Sequence, residues 1–254
     1  MDVALTREIP RSIERCELTF VDRVPIDYER AAAQHRDYCD RLGALGLEVL
    51  RLPADEACPD CCFVEDTAVV LDEVAILASL GSPSRRGESA AIEAALAPYR
   101  RIERIRLPAT LEGGDVLQVG RRIFVGVTTR TNEAGVEALR RIAGPHGYDV
   151  VPARAPGCLH LKSAVTALDD GTLLANRAWL AAEPFASFRI LDVAPEEPGA
   201  ANVLRVRGEI WAHPGFPRTL DRLDHEGYRV TAVDISEFVK AEAALTCKSL
   251  LFRR

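Results

Sequence analysis

The sequence predicts an α/β fold in which five strand–strand–helix–strand units close into a ring. Two features carry that reading. Four short apolar hairpins recur, each directly after a polar cluster, and the halves of a fifth hairpin stand at opposite ends of the chain. The hairpins are Ala68–Leu71 with Val74–Leu77, Val116–Val119 with Ile123–Gly126, Ala164–Leu168 with Thr172–Ala175, and Val203–Val206 with Glu209–Ala212. The split one joins Val3-Ala4-Leu5 to Ser249–Phe252. Just upstream lie Glu65-Asp66, Glu112-Gly113-Gly114-Asp115, His160-Leu161-Lys162, Asn202 and, in the split unit, Cys247. Units packed round an axis bring a shared position together, so these groups should face one another at the centre.

The remaining elements complete each unit. Apolar residues at three- and four-residue spacing predict helices over Tyr28 to Leu45, Glu88 to Leu96 and Glu133 to Ile142. In the first, Ala32, Cys39, Leu42 and Leu45 are placed inward, with Arg30, Asp37 and Arg41 in water. An outer strand should follow at Leu47–Pro53, Ile102–Pro108, Tyr148–Pro152, Ile190–Pro195 and Tyr228–Val233, which again makes five.

A chain of 254 residues that is 48% hydrophobic can bury a substantial core. Its loops are short, so a single domain over 1–254 is expected. The net charge of −6 and dispersed arginines argue against nucleic acid and suit a small cationic substrate. No run is long enough to span a bilayer, and the N-terminus lacks the basic and apolar segments of a secretory signal, so a cytoplasmic protein is expected. Seven cysteines in a chain this large argue against a disulfide framework. Cys58, Cys61 and Cys62 could bind zinc only with a distant fourth ligand, and packing is the simpler role.

The chemistry gathers on the strand-start clusters. Cys247 is a candidate nucleophile, which needs a positive charge to favour the thiolate and a proton carrier. His160 is the candidate carrier and Glu112 the acceptor for its second ring nitrogen. Taken singly, a cysteine is most often an inert core thiol and a histidine a satisfied structural imidazole; the shared repeat position is what favours catalysis. Buried adjacent carboxylates at Glu65 and Asp66 would need a cation or several donors, and a guanidinium offers both. Gly113-Gly114 suggests either a tight bend or a backbone that closely approaches something. Arg85-Arg86 and Arg130 follow two successive hairpins and could grip a substrate carboxylate.

Together the segments Phe63-Val64-Glu65-Asp66-Thr67, Ser84-Arg85-Arg86-Gly87-Glu88, Leu111–Val116, Arg130-Thr131-Asn132, Leu159-His160-Leu161-Lys162, Ala200-Ala201-Asn202 and Leu245-Thr246-Cys247 resemble, in this order, the dimethylarginine dimethylaminohydrolases of the pentein superfamily. The resemblance implies a five-bladed pseudo-symmetric α/β propeller closed by the N- and C-terminal strands. It also implies hydrolysis of Nω-methylated arginines to citrulline and an amine through a covalent thiouronium on the cysteine. Position by position, Cys247 corresponds to the nucleophile, His160 to the general acid and base, and Glu112 to its orienting carboxylate. Asp66, with Glu65 and Phe63 in the same segment, corresponds to the guanidinium site. Arg85 and Arg130 match the carboxylate clamp, and Asp60 and the backbone near Leu18 the α-amino site. Neither metal nor organic cofactor is implied.

Two positions depart from the family pattern: Glu242-Ala243-Ala244 stands where glycines are frequent, and Lys248 where smaller side chains are common. An arginine deiminase-like enzyme would use nearly the same residues, and a propeller that had lost turnover would bind guanidino ligands only. The first and last helices each offer an exposed face on which a second copy could pack as a homodimer.

Overall fold

The computed structural model describes all 254 residues. The chain opens with β1 (Val3–Arg7), α1 (Tyr28–Ala44) and β2 (Glu48–Leu52). The second unit is β3 (Ala68–Val70), β4 (Val74–Leu77), α2 (Ser89–Leu96) and β5 (Arg101–Arg104). The third is β6 (Val116–Val119), β7 (Arg122–Val127), α3 (Glu133–Ala143) and β8 (Asp149–Arg154). The fourth has α4 (Leu161–Ala164), β9 (Val165–Ala167), β10 (Thr172–Ala175) and β11 (Arg189–Asp192), with two short 3-10 turns where the other units carry a longer helix. The fifth stretch contains β12 (Leu204–Val206), β13 (Glu209–Ala212), α5 (Pro217–His225), β14 (Val230–Ala232), α6 (Ser236–Val239) and β15 (Leu250–Phe252).

These strands form five three-stranded sheets of one topology. In each, a short first strand pairs antiparallel with the middle strand, which pairs parallel with the third, as the hairpins and outer strands of the sequence require. The terminal sheet joins the chain ends: Leu5 sits opposite Leu250 on β15 and opposite Leu50 on β2.

Each sheet shares a hydrophobic core with the next. β1 and β15 pack on β3 and β4 through Leu5, Leu250, Ala75 and Leu77, with Ile92 and Leu96 of α2. Val69 and Ile76 meet Val116, Val125 and Leu139 of the third unit. Phe124 meets Val165 and Leu173, and Leu174 meets Val203 and Ile210. The last core returns to the first sheet, with Trp211 and Leu204 against Tyr38, Leu42 and Ala4. Trp211 and Tyr38 meet edge-to-face at 5.6 Å, and truncating either buried ring to alanine should cost about 3–5 kcal/mol.

The buried face of α1 differs from the expected one. Ala31, Gln34, His35, Tyr38, Cys39 and Leu42 point inward, while Ala32 and Leu45 are only half-buried. The stripe rotates because the facing C-terminal segment carries polar groups that need partners: Gln34 donates to Ser236 Oγ at 2.8 Å, and Tyr38 shares a hydrogen bond with Ser249 at 2.7 Å. Asp27 caps the helix by accepting the Arg30 N–H at 3.1 Å.

Candidate active site

The turns that lead into the short first strands converge, and Gly113-Gly114 is what lets them. A Cβ on Gly113 would stand 1.9 Å from the Glu65 carbonyl oxygen, and one on Gly114 would stand 2.5 Å from His160 Nδ1. Only bare backbone fits between those neighbours. The gap so closed lets the Gly114 N–H donate to Asp66 Oδ1 at 3.0 Å. His160 Nε2 then lies 2.8 Å from Glu112 Oε2 and 3.8 Å from Asp66 Oδ1. Glu112 is itself fixed, because its other oxygen accepts the Gly81 N–H at 3.0 Å.

Burial opposes charge on His160, but Asp66, the Glu112 hydrogen bond and Asp115 outweigh it and push its pKa up to about 9. Burial likewise opposes charge on Asp66, yet His160 and Arg85 bring it down to about 2. Glu112 also lies below the usual range: the His160 hydrogen bond overcomes its burial. Asp115, absent from the candidate site read in the sequence, is pushed up to about 6 by burial although it accepts from Leu161 N at 2.9 Å and Thr128 Oγ1 at 2.7 Å. The resting site therefore holds an imidazolium against two carboxylates.

Cys247 is half-buried, whereas the other six cysteines are buried. Its Sγ accepts the Ala244 N–H at 3.4 Å. Burial and then the charges of Glu65 and Asp66 push the thiol up to about 12, only partly offset by Lys162. The expectation of a cation favouring the thiolate is thus corrected, since carboxylates dominate around the sulfur. The neighbouring Lys248 points the other way, into the core, where its Nζ lies 3.2 Å from His35 Nδ1 and 3.1 Å from the Phe238 ring centre. With no carboxylate beside it, burial brings Lys248 down to about 7.

The nucleophile turn is anchored by residues that the repeat pattern aligned without assigning them roles. Thr246 donates to Glu65 Oε2 at 2.7 Å and receives Asn202 Nδ2 at 2.9 Å, while its N–H donates to Asn202 Oδ1 at 3.2 Å. Glu65 holds Lys162 Nζ at 2.5 Å with its second oxygen. Both Glu65 oxygens have partners within the protein, and Asp66 has Arg85, the Gly114 N–H and His160 beside it, so the cations and donors that these two buried carboxylates require are supplied by the chain itself.

Arg85 also departs from its expected role. Its Nε and Nη2 fork Glu88 at 3.0 Å each, Nη1 donates to Asp66 at 2.7 Å and Nη2 to the Phe63 carbonyl at 3.2 Å. Of its five N–H groups one on Nη1 is left, so Arg85 has a single donor free for the clamp expected of it. Glu88 was missed; its signal is the i,i+3 spacing from Arg85. Arg130 is freer, touching Thr19 Oγ1 at 3.2 Å and Glu112 Oε1 at 3.6 Å. Asp60, raised by burial, accepts the Glu17 N–H with both oxygens at 3.2 Å, beside half-buried Leu18. Phe63 is a core residue, edge-to-face with Phe238 at 6.4 Å.

Asp66, Glu112 and His160 each offer one atom within 4.8 Å of the others, a spacing a divalent cation could bridge. A proton on His160 already supplies the positive charge there. Cys58, Cys61 and Cys62 form no such cluster; Cys61 Sγ instead accepts the Asp55 N–H at 3.4 Å.

The sequence profile described as N,N dimethylarginine dimethylhydrolase, eukaryotic, matches residues 20–167. A dimethylarginine dimethylaminohydrolase from Streptomyces coelicolor is 41% identical, with 97% of this chain and 95% of the relative covered. The chain belongs to the dimethylarginine dimethylaminohydrolase family. A second member, from Pseudomonas aeruginosa, is 35% identical over 89% of this chain and 90% of its own. The crystal structure of the Pseudomonas aeruginosa enzyme as a cysteine-to-serine variant with citrulline matches with a TM-score of 0.94 at 33% identity, covering 99% of both chains. The N-terminal domain of a cyanobacterial arginine dihydrolase shares the fold at 18% identity, with a TM-score of 0.85 over 98% of this chain and 97% of that one.

Proposed function

We propose that the protein hydrolyses Nω-methylated arginines to citrulline and methylamine or dimethylamine through a covalent intermediate on Cys247. The observation that carries this is the imidazolium of His160 held by Glu112 and Asp66 in a site whose carboxylates keep the nearby thiol neutral. Such a site discriminates in favour of a cation. A guanidinium entering beside Asp66 and Glu65 offsets the negative field that holds the sulfur's proton, so the thiol releases that proton to solvent when substrate is present. Sγ then bonds to the guanidinium carbon, and the C–N bond to the methylated nitrogen breaks as His160 gives that nitrogen its proton. The neutral His160 next takes a proton from water, whose oxygen adds to the thiouronium carbon. The C–S bond breaks with its electron pair on sulfur, the proton of the added hydroxyl passes to that sulfur, and citrulline leaves with the thiol and the imidazolium restored.

Arg130, with one N–H of Arg85, receives the α-carboxylate in this reading; Asp60 and the backbone near Leu18 receive the α-amino group. The five sheets and the cores they share in succession support a closed five-bladed propeller forming one domain over 1–254. No helix is long and apolar enough to cross a membrane, and we place the enzyme in the cytoplasm. The test is incubation with asymmetric dimethylarginine, monomethylarginine, arginine and agmatine, with citrulline or the decarboxylated urea product measured for each. Turnover of the methylated arginines ahead of arginine is expected. Preference for arginine would make the enzyme a deiminase, and binding without product an inactive relative.

A further inference from the structure

Glu242 has a left-handed backbone, with φ +56, at the residue that follows the turn closing α6. The Ala243 N–H returns to the Phe238 carbonyl at 3.0 Å and the Glu242 N–H to that of Val239 at 3.1 Å, the hydrogen bonding of a helix end whose left-handed position glycine usually fills. The other non-glycine residue with positive φ, Arg207, is the first residue of a tight Arg207-Gly208 hairpin, where the turn itself demands it. At Glu242 the turn would be better served by glycine, so the side chain needs its own explanation.

The carboxylate supplies one. Its Oε2 accepts the Thr19 N–H at 2.7 Å and its Oε1 the Phe20 N–H at 3.0 Å, more than 200 residues away in sequence. The same loop gives the Glu17 N–H to Asp60, and its Thr19 hydroxyl accepts from Arg130 Nη2. On the other side of Glu242, Ala244 donates its N–H to Cys247 Sγ. One carboxylate therefore joins the segment that holds the nucleophile to the loop that runs beside Asp60 and Arg130.

We propose that Glu242 is a positioning residue, a clasp whose carboxylate fastens the 17–20 loop to the nucleophile segment so that the α-amino and α-carboxylate contacts are in place before substrate arrives. The role rests on the methylarginine reading for its effect on turnover, though not for its effect on the loop. Removing the clasp makes substrate capture carry the ordering of the loop, which raises KM more than it lowers kcat.

Glu242→Gly removes the carboxylate and suits the backbone; Glu242→Gln keeps one acceptor oxygen and the strained backbone. Amide hydrogen exchange of residues 17–24 in the substrate-free protein, KM and kcat for asymmetric dimethylarginine, and thermal midpoints separate the possibilities. In Glu242→Gly, exchange in this loop should accelerate about tenfold and KM rise about tenfold, with a smaller change in kcat and no fall in midpoint. Glu242→Gln should lie between parent and Gly in exchange and KM, with the lower midpoint. Unchanged exchange in Glu242→Gly overturns the clasp, as does faster exchange without a rise in KM. If Glu242→Gly fails to fold, the Gln variant decides by the same two readouts. Parent protein that does not turn over methylarginines defeats the functional reading alone, because the exchange comparison still decides whether the clasp exists.

Discussion

Replacing Arg130 by alanine separates recognition of the substrate's carboxylate from maintenance of the site, and replacing Arg85 provides the contrast. Arg130 keeps most of its donors uncommitted, so a carboxylate can meet its fork in a largely water-free setting. A charge-assisted interaction of that kind contributes about 1.5–3 kcal/mol, which is a loss of roughly ten- to a hundredfold in kcat/KM for methylarginine. Agmatine lacks the carboxylate and should lose little further, since the deleted contact was never made. Arg85 behaves differently. Its guanidinium is the buried partner of both Asp66 and Glu88, so Arg85→Ala leaves Glu88 without a counter-charge and Asp66 with His160 alone, and should cost about 3–5 kcal/mol of stability. It should also slow both substrates, because Asp66 loses the donor that fixes it beside His160. The assay is steady-state kinetics of the two variants on both substrates, with unfolding in urea alongside. Equal depression of both substrates by Arg130→Ala would refute the carboxylate role, and a stable Arg85→Ala that affects methylarginine alone would refute the structural one.

Further outcomes follow from the protonation pattern. Cys247→Ser should lose turnover while remaining folded, and in the parent protein alkylation of Cys247 by iodoacetamide should climb through pH 9, because its pKa lies near about 12; a plateau below pH 8 would mean a preformed thiolate. His160, raised from 6.5 to about 9, contributes stability that is fully present below pH 6.5 and lost as pH rises through 9, about 3 kcal/mol in all, so the fall over that window should be smaller in His160→Asn. Lys248 has the opposite sign: lowered from 10.5 to about 7, it imposes a cost fully present below pH 7 that vanishes as pH rises through 10.5, so Lys248→Met should be more stable at pH 7 by up to about 5 kcal/mol, and a less stable variant in urea would contradict the buried-amine account.

The repeat made much of this architecture legible before any coordinates, because hairpin periodicity is local while the position that the units share is a consequence of packing them alike. All five sheets fall where the hairpins and outer strands placed them, and the split unit joins Val3–Leu5 to the strand beyond Ser249. The same logic put His160, Glu112 and Asp66 in one place. What spacing cannot reveal is which charge is already neutralised. Glu65 and Asp66 are neighbours in sequence, yet one turns to Lys162 and Thr246 and the other to Arg85 and His160. Arg85 and Arg130 occupy like positions after successive hairpins and each has a glutamate three residues on, but only Glu88 turns back to occupy its arginine's fork, while Glu133 opens α3 in an exposed position. Lys248 follows the nucleophile in sequence and points away from it, because residues 246–248 form one 3-10 turn, in which consecutive side chains diverge by about 120°.

The arrangement of charge has a consequence for selectivity. A thiol preactivated by a fixed cation would be a ready nucleophile toward any electrophile that reached it, including neutral ones. On the proposed mechanism the carboxylates beside which the substrate's cation enters are also those that suppress the thiolate, so binding and activation use one interaction with opposite effects on the two partners. A neutral analogue of the same shape brings no further cation beside Glu65 and Asp66 and leaves the sulfur protonated. Citrulline, which is neutral at the reacting end, meets that condition, so the product faces an unreactive thiol once formed. On the proposed mechanism, the preference for a cationic substrate thus follows from where Glu65, Asp66 and His160 stand around one sulfur.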